Sequence, residues 1–429
     1  MNRNGHYLQI GIAHIDDKKH SLILNYEFPD NRMKQSKKAA MDAIFRDMLS
    51  YIYIKLRLIE MFQHILLVVA AFIVSALCGF IIIPLIMNFC KRRHLYDIPN
   101  ERKMHTHAIP RLGGISFMPS MMLAFLLAMT VMPQVTGNEP LKVSLWTFFF
   151  FISLLLIYGV GIIDDLIGLD AKTKFVVQIV ATSLMPISGL YINDLYGFLG
   201  IYEIPFWVGA PLTVFIMVYI DNAINLIDGI DGLAGGLSFL ALCGFLACFM
   251  REEIWAYSML IAGLMGVLVP YLYFNLFGDP QKNRKIFMGD SGSLTLGFIL
   301  GFLFVKFAMN KPDVIPFHTD GLILSITMLI VPMFDVVRVV LVRMQHRRPL
   351  FDADKNHIHH KLMRTGMNQH QALITILMMA LLFAAINVVM IFMLKMQLTW
   401  SLVVDIVLFF VFNYLINKAI QRRGEKVFS

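Results

Sequence analysis

Long apolar runs fill the chain from residue 62 to residue 416, and polar segments separate them. A helix that crosses a bilayer needs about 20 mostly apolar residues. Eleven runs approach or exceed this length, and we predict a membrane-spanning helix for each: Phe62–Phe89, Ile115–Met132, Leu145–Ile163, Phe175–Leu190, Phe206–Ile220, Leu233–Met250, Ile254–Phe274, Leu294–Ala308, Leu322–Val342, Leu373–Leu394 and Ser401–Ile416. The fourth, fifth and eighth runs are short, and tilting or polar turns buried in protein would accommodate them.

Composition indicates the same fold class. Hydrophobic residues make up 58% of the chain and charged residues 15%, against roughly 45–50% and about 25% in an average soluble domain. So few charges cannot cover that much apolar surface in water, which excludes a soluble or secreted enzyme, a disulfide scaffold and a disordered chain. We therefore predict an all-α, polytopic membrane helical bundle with about eleven transmembrane helices that the lipid bilayer solvates.

Lys and Arg are distributed unevenly between the loops. The loops after odd-numbered predicted spans, together with the C-terminal tail, carry 21 of them, and the loops after even-numbered spans carry five. Because positive residues concentrate on the cytoplasmic side, we predict that the odd-numbered loops and the C-terminus are cytoplasmic. The net charge of +8 then reflects topology, and we expect no nucleic-acid partner.

Residues 1–60 do not fit this topology. They carry ten Lys or Arg and seven Asp or Glu, yet the loop charges place them outside. A second methionine, Met61, stands at the edge of the first predicted span. We predict that residues 1–60 are an N-terminal extension upstream of the functional start, and that residues 61–429 form a single polytopic domain.

The third predicted span ends in two adjacent carboxylates, Asp164 and Asp165. Adjacent carboxylates at a membrane boundary repel each other and are costly without a cation. They either flank a divalent metal or handle protons, or they only cap the span among solvated headgroups. Lys172 and Lys174 follow closely, and they either neutralise a substrate phosphate or only set the topology.

The segment 221–236 reads DNAINLIDGIDGLAGG, and Asn222, Asn225, Asp228 and Asp231 recur in it every three residues. At helical spacing we predict that they line one helix edge with oxygen ligands. The glycines in between let backbone come close to a ligand or to another helix. We interpret this segment as a binding surface rather than a solvated turn.

The segment 287–298, FMGDSGSLTLGF, places Asp290 just ahead of an apolar helix. We predict that Ser291 or Ser293 is the N-cap of that helix. A helix N-terminus offers backbone amides and a positive dipole to phosphate oxygens. The segment is therefore either a phosphate site or an ordinary capped helix start.

The loop after the ninth predicted span contains His357, His359 and His360 among several Arg and Lys residues, including Arg348. Three clustered histidines are able to ligate zinc. The cationic surroundings favour an anion instead, because imidazole and guanidinium groups donate to diphosphate oxygens. Diphosphate binding is our preferred interpretation, and zinc binding and a solvated loop stay open.

Together, these clusters place carboxylate and amide oxygens beside a cationic loop at one membrane face. Oxygen ligands with a diphosphate substrate indicate Mg²⁺ rather than zinc or calcium. This combination predicts phosphoryl-group transfer at the inner face of the membrane, from a soluble diphosphate to an acceptor that lipid would supply. A polytopic transporter and a zinc-dependent intramembrane hydrolase are the alternative functions.

From Met61 to the C-terminus the chain resembles the polyprenyl-phosphate N-acetylhexosamine-1-phosphate transferases, which are glycosyltransferase family 4. The matching motifs are Asp164–Asp165, Asn225–Gly236, Met288–Ser293 and the HIHH sequence His357–His360, and residues 105–115 (HTHAIPRLGGI) resemble the first cytoplasmic loop of the family. HIHH is like the branch that starts O-antigen, enterobacterial common antigen, teichoic acid or capsule synthesis.

The resemblance implies a Mg²⁺-dependent enzyme, in which Mn²⁺ would substitute, in a bacterial cytoplasmic membrane. It would move a sugar-1-phosphate from a UDP-N-acetylhexosamine to undecaprenyl phosphate and release UMP. UDP-GlcNAc is the first choice of donor, and UDP-GalNAc and rarer sugars stay open, as does assembly into a homodimer. The active site and the C-terminus would face the cytoplasm.

The resemblance also implies residue roles. Asp290 and Asn225 would ligate the metal. Asp164 would deprotonate or orient the lipid phosphate with support from Asp165. The remaining residues would position the nucleotide, phosphate or sugar: Asp228, Asp231, Lys172, Lys174, Asn222, Arg348, His357, His359 and His360. One intramembrane pair, Asp335 and Arg338, lies three residues apart and would either join one helix face structurally or support the site from behind.

Overall fold

The structure is a computed structural model. It describes residues 9–10, 14–16, 21–23, 26–27, 35–97, 108–137, 144–282, 284–311, 319–349 and 356–427. The chain divides into two compact units, Met1–Gln63 and His64–Ser429. The predictions for residues 105–107 and for residues 350–355 of the loop that carries the histidines concern parts of the chain outside the described residues.

The first unit contains two short antiparallel strand pairs. Strand β1 (Gln9–Ile10) pairs with β4 (Tyr26–Glu27), and β2 (His14–Asp16) pairs with β3 (Ser21–Ile23). The long helix α1 (Gln35–Arg93) begins in this unit.

The second unit is built from helices, which confirms the predicted all-α class. After α1 it contains the following helices: α2 (Phe117–Thr136), α3 (Leu145–Ile167), α4 (Ala171–Ile187), α5 (Phe206–Ile227), α6 (Leu233–Arg251), α7 (Trp255–Phe277), α8 (Asp290–Ala308), α9 (Gly321–Gln345), α10 (Ile358–Arg364), α11 (Gln369–Val388) and α12 (Leu398–Arg422). Two small antiparallel pairs lie in the connections, β5 (Tyr96–Asp97) with β6 (Ile109–Pro110) and β7 (Asp194–Phe198) with β8 (Ile201–Glu203).

Within the described ranges, ten helices are long and apolar enough to cross a membrane. The protein is therefore a multi-pass membrane protein, as predicted. The fourth predicted span corresponds to α4, a helix of 17 residues, which is at the lower limit of about 17 residues for a crossing. The other ten predicted spans each fall on one of the ten helices.

Helix α8 is the central helix of the second unit. All its residues from Ser291 to Ala308 are buried, as expected for a helix that is apolar on every face. Glycines on α8 allow neighbouring helices to approach closely: a Cβ at Gly297 would collide with Asp221 of α5, and one at Gly301 would lie 3.3 Å from Met217. These two glycines thereby hold the middle of α8 against α5.

The predicted helical edge in segment 221–236 is right for its first half and wrong for its second. Helix α5 carries Asn222 and Asn225 but ends at Ile227, with Asp228 as its C-cap. Asp231 lies in the turn before α6. Gly232 adopts a φ of 75° at the N-cap of α6, a left-handed conformation that is favourable for glycine and interrupts the helix.

Candidate active site

The carboxylate of Asp165 caps the N-terminus of α8 from the neighbouring helix α3. Its two oxygens accept the backbone N–H groups of Asp290 and Ser291, each at 2.9 Å. The predicted serine N-cap is therefore wrong. The N-cap residue is Gly289, which has no capping side chain, and the hydroxyl of Ser293 donates instead to the Gly289 carbonyl at 3.2 Å.

Two glycines allow this contact. A Cβ at Gly161 of α3, or at Gly114 in the loop before α2, would collide with the backbone of residues 291–292. The loop also pairs with the segment before α8, because Gly114 N–H donates to the Met288 carbonyl at 2.8 Å. Arg111, in the same loop, donates to the backbone carbonyl of Asp165. Arg111 belongs to the segment HTHAIPRLGGI, but nothing in the sequence alone indicates this contact.

A group of charged side chains converges at the exposed side of this helix end. The ammonium of Lys174 lies 3.2 Å from Asp164 Oδ2 and 2.7 Å from Asp290 Oδ2. The amide of Asn225 donates to Asp290 Oδ1 at 3.1 Å and to the hydroxyl of Ser293 at 2.8 Å. Three motifs that are far apart in the sequence thus meet around Asp290, as the sequence analysis expected.

The turn after α5 adds two more carboxylates. Burial, together with the nearby carboxylates of Asp290, Asp231 and Asp165, raises the pKa of Asp228 to about 7. Its side chain has no hydrogen-bond partner in the described part of the chain. Asp231 instead forms an ion pair of 2.6 Å with Lys285, a residue without a predicted role. Such crowding of negative charge favours a bound cation.

Asn222 lies deeper, in a buried polar network that the sequence analysis did not identify. Its amide donates to Gln178 Oε1 at 3.0 Å, and the amide of Gln178 donates to Asp221 Oδ2 at 2.9 Å. This network joins α4 to α5 behind Asp290. Gln178 is the residue from which this network could have been predicted. It is an isolated polar residue in the apolar helix α4, and such residues usually face the protein interior.

Asp335 of α9 holds the histidine segment, His357–His360, in place. Its Oδ2 lies 2.9 Å from His357 Nδ1, and its Oδ1 accepts the N–H of Ile358 at 3.0 Å and a guanidinium N–H of Arg338 at 2.6 Å. Arg338 also donates to the carbonyl of Asn356. Asp335 and Arg338 therefore pair on one helix face, which confirms the structural interpretation, and they also contact residues 356–358; support of the site from behind stays a prediction.

His359 connects the histidine segment to the acidic turn, which is the turn after α5 that carries Asp228 and Asp231. Its ring packs on the backbone of Gly229, where an added Cβ would collide with it. Burial, with a contribution from His360, lowers the pKa of His359 to about 3, which keeps the imidazole neutral. The ring of His360 is less buried and its centroid lies 4.2 Å from that of His359.

Two predicted phosphate-binding residues, Lys172 and Arg348, lie on the exposed surface. Lys172 is exposed in the first turn of α4, and Arg348 is exposed just after the end of α9. The backbone N–H of Arg348 donates to the carbonyl of Arg343 at 3.0 Å. Both side chains are accessible to a soluble substrate that reaches this face.

The donor set around Asp290 fits Mg²⁺ better than zinc. Within the ranges that the structure describes, no three His, Cys, Asp or Glu side chains are arranged as a metal site. Mg²⁺ is commonly held by one or two carboxylates together with waters and substrate phosphates. Asp290 and the hydroxyl of Ser293 offer such a partial set of oxygen ligands, and substrate would complete it. Asn225 donates its amide N–H to both of them in this structure, so it would join the set by turning its amide oxygen towards the ion.

We predict that Asp165→Ala loosens the first turn of α8. The change leaves two buried N–H groups without acceptors, so the free energy of unfolding should fall by about 1–3 kcal/mol. Hydrogen exchange of a peptide covering residues 286–294 should accelerate. Asp170→Ala is the control, since Asp170 caps α4 at an exposed position. Unchanged exchange at the start of α8 would contradict the capping role.

Comparisons with known proteins point to one family. A family model described as Glycosyl transferase family 4 matches residues 146–308. A probable undecaprenyl-phosphate N-acetylglucosaminyl 1-phosphate transferase of Bacillus subtilis is 29% identical over 376 residues, which cover 85% of this chain and 95% of that protein. The range 146–308 includes the residues that surround Asp290 and ends before the histidine segment.

Two further relatives are named undecaprenyl-phosphate alpha-N-acetylglucosaminyl 1-phosphate transferase. The protein from Yersinia pestis is 30% identical over 305 residues, covering 69% of this chain and 76% of that protein. The protein from Escherichia coli K12 is 29% identical over 338 residues, covering 77% of this chain and 85% of that protein. These matches include more of this chain than the family model does, and they cover most of the length of each relative.

Proposed function

Because this chain belongs to glycosyl transferase family 4, we propose that it transfers N-acetylglucosamine 1-phosphate from UDP-GlcNAc to undecaprenyl phosphate. UMP is released, and the lipid-linked product starts the synthesis of a cell-envelope glycan. The observation that carries the proposal is the convergence of separated polar motifs at the N-terminus of α8. The names of the relatives support the acceptor and the N-acetylglucosaminyl group.

In the proposed reaction, an oxygen of the lipid phosphate attacks the phosphorus that carries the sugar. A new P–O bond forms, the bond to the bridging oxygen breaks, and UMP leaves with that oxygen. Asp164 takes the proton of the lipid phosphate or orients it from the edge of the site. We favour direct attack, since one cluster of side chains at one helix end is able to hold both substrates.

Lys174 is the residue best placed to hold a phosphate group. It already forms ion pairs with both Asp164 and Asp290, and its ammonium would shift towards a diphosphate as the substrate binds. Lys172, Arg348 and the histidine segment supply further donors at the rim, while Asp231 is fixed by Lys285. The carboxyl group of Asp228 has no hydrogen-bond partner in the described part of the chain, and it would contact the nucleotide or help to hold a cation.

Asp290 and Asn225 would hold Mg²⁺ together with oxygens of the diphosphate. When bound, the ion neutralises the negative charge that develops on the phosphate oxygens. The two oxygens of Asp165 accept the backbone N–H groups of Asp290 and Ser291. Asp165 serves as a positioning residue that fixes the backbone of Asp290.

The proposed site faces the cytoplasm of a bacterium, and the protein lies in its inner membrane. The asymmetry of 21 against five Lys and Arg residues between the two sets of loops supports this orientation. A soluble UDP-sugar would then reach the site from the cytoplasm, where nucleotide sugars are made. The acceptor would enter sideways from the bilayer.

The proposal is tested with the purified protein, undecaprenyl phosphate and a panel of UDP-sugars. We expect UMP release with UDP-GlcNAc that depends on the lipid phosphate, and slower or no release with UDP-glucose, which lacks the acetamido group. UDP-GalNAc in the panel determines whether the 4-hydroxyl is discriminated. Failure of every UDP-sugar to release UMP in the presence of the lipid would contradict the proposed activity.

Removal of divalent metal should stop the reaction. EDTA is expected to lower UMP release to background, and excess Mg²⁺ or Mn²⁺ should restore it, because the carboxylate of Asp290 repels a diphosphate unless a divalent cation lies between them. Zn²⁺ should restore it poorly, since the donors are oxygens. The control is EDTA already saturated with Mg²⁺. Full activity in EDTA would remove the metal from the proposal.

A further inference from the structure

A buried lysine lies at the end of α8 that is remote from Asp290. Lys306 is 16 residues further along the helix, about 24 Å away at a rise of 1.5 Å per residue. Its side chain is 0% exposed, and among the described residues its Nζ has no hydrogen-bond partner. A buried ammonium is costly unless a counter-charge or acceptors compensate it.

Aromatic rings are the groups that the structure places beside this ammonium. Lys306 Nζ lies 3.9 Å from the ring centre of Trp146 and 5.2 Å from that of Tyr257. A second ammonium, that of Lys311, lies 4.9 Å from the same Trp146 ring. The ring faces attract each cation, but they do not remove the repulsion between the two positive charges. Excess positive charge is therefore concentrated around one indole.

A small cavity adjoins Lys311, the second of these lysines. It has a volume of about 130 Å³ and is lined by Gly189, Tyr191, Asn193, Met309 and Lys311. A Cβ at Gly189 would lie 3.8 Å from the indole Nε1 of Trp146 and 4.0 Å from Lys311 Nζ, so both nitrogens face the space above this glycine. The cavity exceeds the roughly 10–15 Å³ that one water needs.

The rim of the cavity is fixed by hydrogen bonds. Asn193 donates to the carbonyl of Asn310 at 2.7 Å and accepts its backbone N–H at 2.8 Å. The carboxylate of Asp194, next to Asn193, accepts the side-chain amide of Asn310 at 2.9 Å and the N–H of Tyr196 at 2.7 Å. These two donors are neutral, and the bonds fix the rim beside Lys311.

We propose that this cavity binds a phosphate group at the membrane face opposite the catalytic cluster. Lys311 and the indole N–H of Trp146 would contact the phosphate oxygens, and Lys306 would supply the second positive charge beside them. The phosphate would come from an anionic lipid headgroup or from free inorganic phosphate. The proposal does not depend on the transfer activity.

The test measures phosphate binding to the full-length protein in an uncharged detergent. One arm counts phosphatidylglycerol retained in native mass spectrometry, with phosphatidylcholine as the neutral reference. The other arm follows the unfolding temperature as inorganic phosphate is added, with chloride as the reference. Retention of the lipid alone identifies a headgroup site, a response to phosphate alone identifies a site for the free ion, and either outcome supports the proposal.

Lysine variants determine whether binding occurs at this cavity. Lys306→Met and Lys311→Met should each weaken binding about tenfold or more, as expected for the loss of a charge-assisted contact. Lys311→Arg should retain it. Lys395→Met is the matched control, because Lys395 is exposed after α11, at the same end of the helices. If Lys306→Met does not fold, Lys311→Met is sufficient. Binding of neither probe above its reference, or equal binding by the variants, would overturn the proposal.

Discussion

Replacing Asp290 by asparagine is expected to reduce UMP release by roughly a thousandfold or more, with the protein still folded in the membrane. The substitution keeps the size of the side chain and its contact with Asn225, which donates to Oδ1 at 3.1 Å. It removes the negative charge that pairs with Lys174 at 2.7 Å. In the proposed reaction this charge also holds the divalent cation, so the substrate diphosphate loses its principal electrostatic partner.

Stability should change much less than activity. The side chain of Asp290 is 26% exposed in its ion pair with Lys174, and such pairs contribute at most about 1 kcal/mol. We therefore expect an unfolding temperature close to that of the unmodified protein. Asp279→Asn is the matched control, because Asp279 is 41% exposed in a turn and pairs with Lys282 at 3.7 Å. Appreciable transfer by Asp290→Asn would refute its assignment as the principal ligand.

The spans and the meeting of the motifs could be predicted from the sequence because both depend on simple physical patterns. An apolar run of about 20 residues forms a helix in lipid, because a helix satisfies its backbone hydrogen bonds within the segment. Polar motifs at the ends of such runs are confined to a membrane face, which brings Asp164, Asn225 and Asp290 within reach of one another. The contacts with Lys174 and Asn225 confirm this convergence.

The particular partner of each polar group could not be predicted in this way. The cap of α8 comes from Asp165, which is 125 residues away in the sequence, whereas capping rules consider only local residues such as Ser291. The three-residue period of segment 221–236 indicated one helix, but Gly229 and Gly232 turn the chain after Ile227. Long-range packing decided both outcomes, and a single sequence contains no direct record of it.

Replacing Asp335 by asparagine should lower both the free energy of unfolding and the rate of transfer. The contact of Asp335 with the histidine segment is a further long-range contact. Asp335 is 0% exposed and accepts three hydrogen bonds, from Arg338, His357 and Ile358. Asparagine would leave the guanidinium of Arg338 buried without a counter-charge. Breaking a buried ion pair in this way lowers the free energy of unfolding by about 3–5 kcal/mol.

The matched control is Asp405→Asn. Asp405 is also 0% exposed, but it contacts the side-chain amide of Asn387, at 3.0 and 3.1 Å, rather than a cation. Because no buried charge loses its partner, we expect a change of at most about 1–1.5 kcal/mol. Thermal unfolding in detergent compares the two variants, and equal losses would contradict the importance of the pair with Arg338.

A double variant separates stability from transfer. Asp335→Leu combined with Arg338→Met replaces the buried ion pair by apolar side chains, an exchange that is often neutral or stabilising. We expect the unfolding temperature to recover towards that of the unmodified protein. Transfer should stay low, because His357 then lacks the acceptor that fixes it and His359 loses its position on the acidic turn. Recovery of transfer together with stability would show that Asp335 only neutralises Arg338 and does not position the histidines.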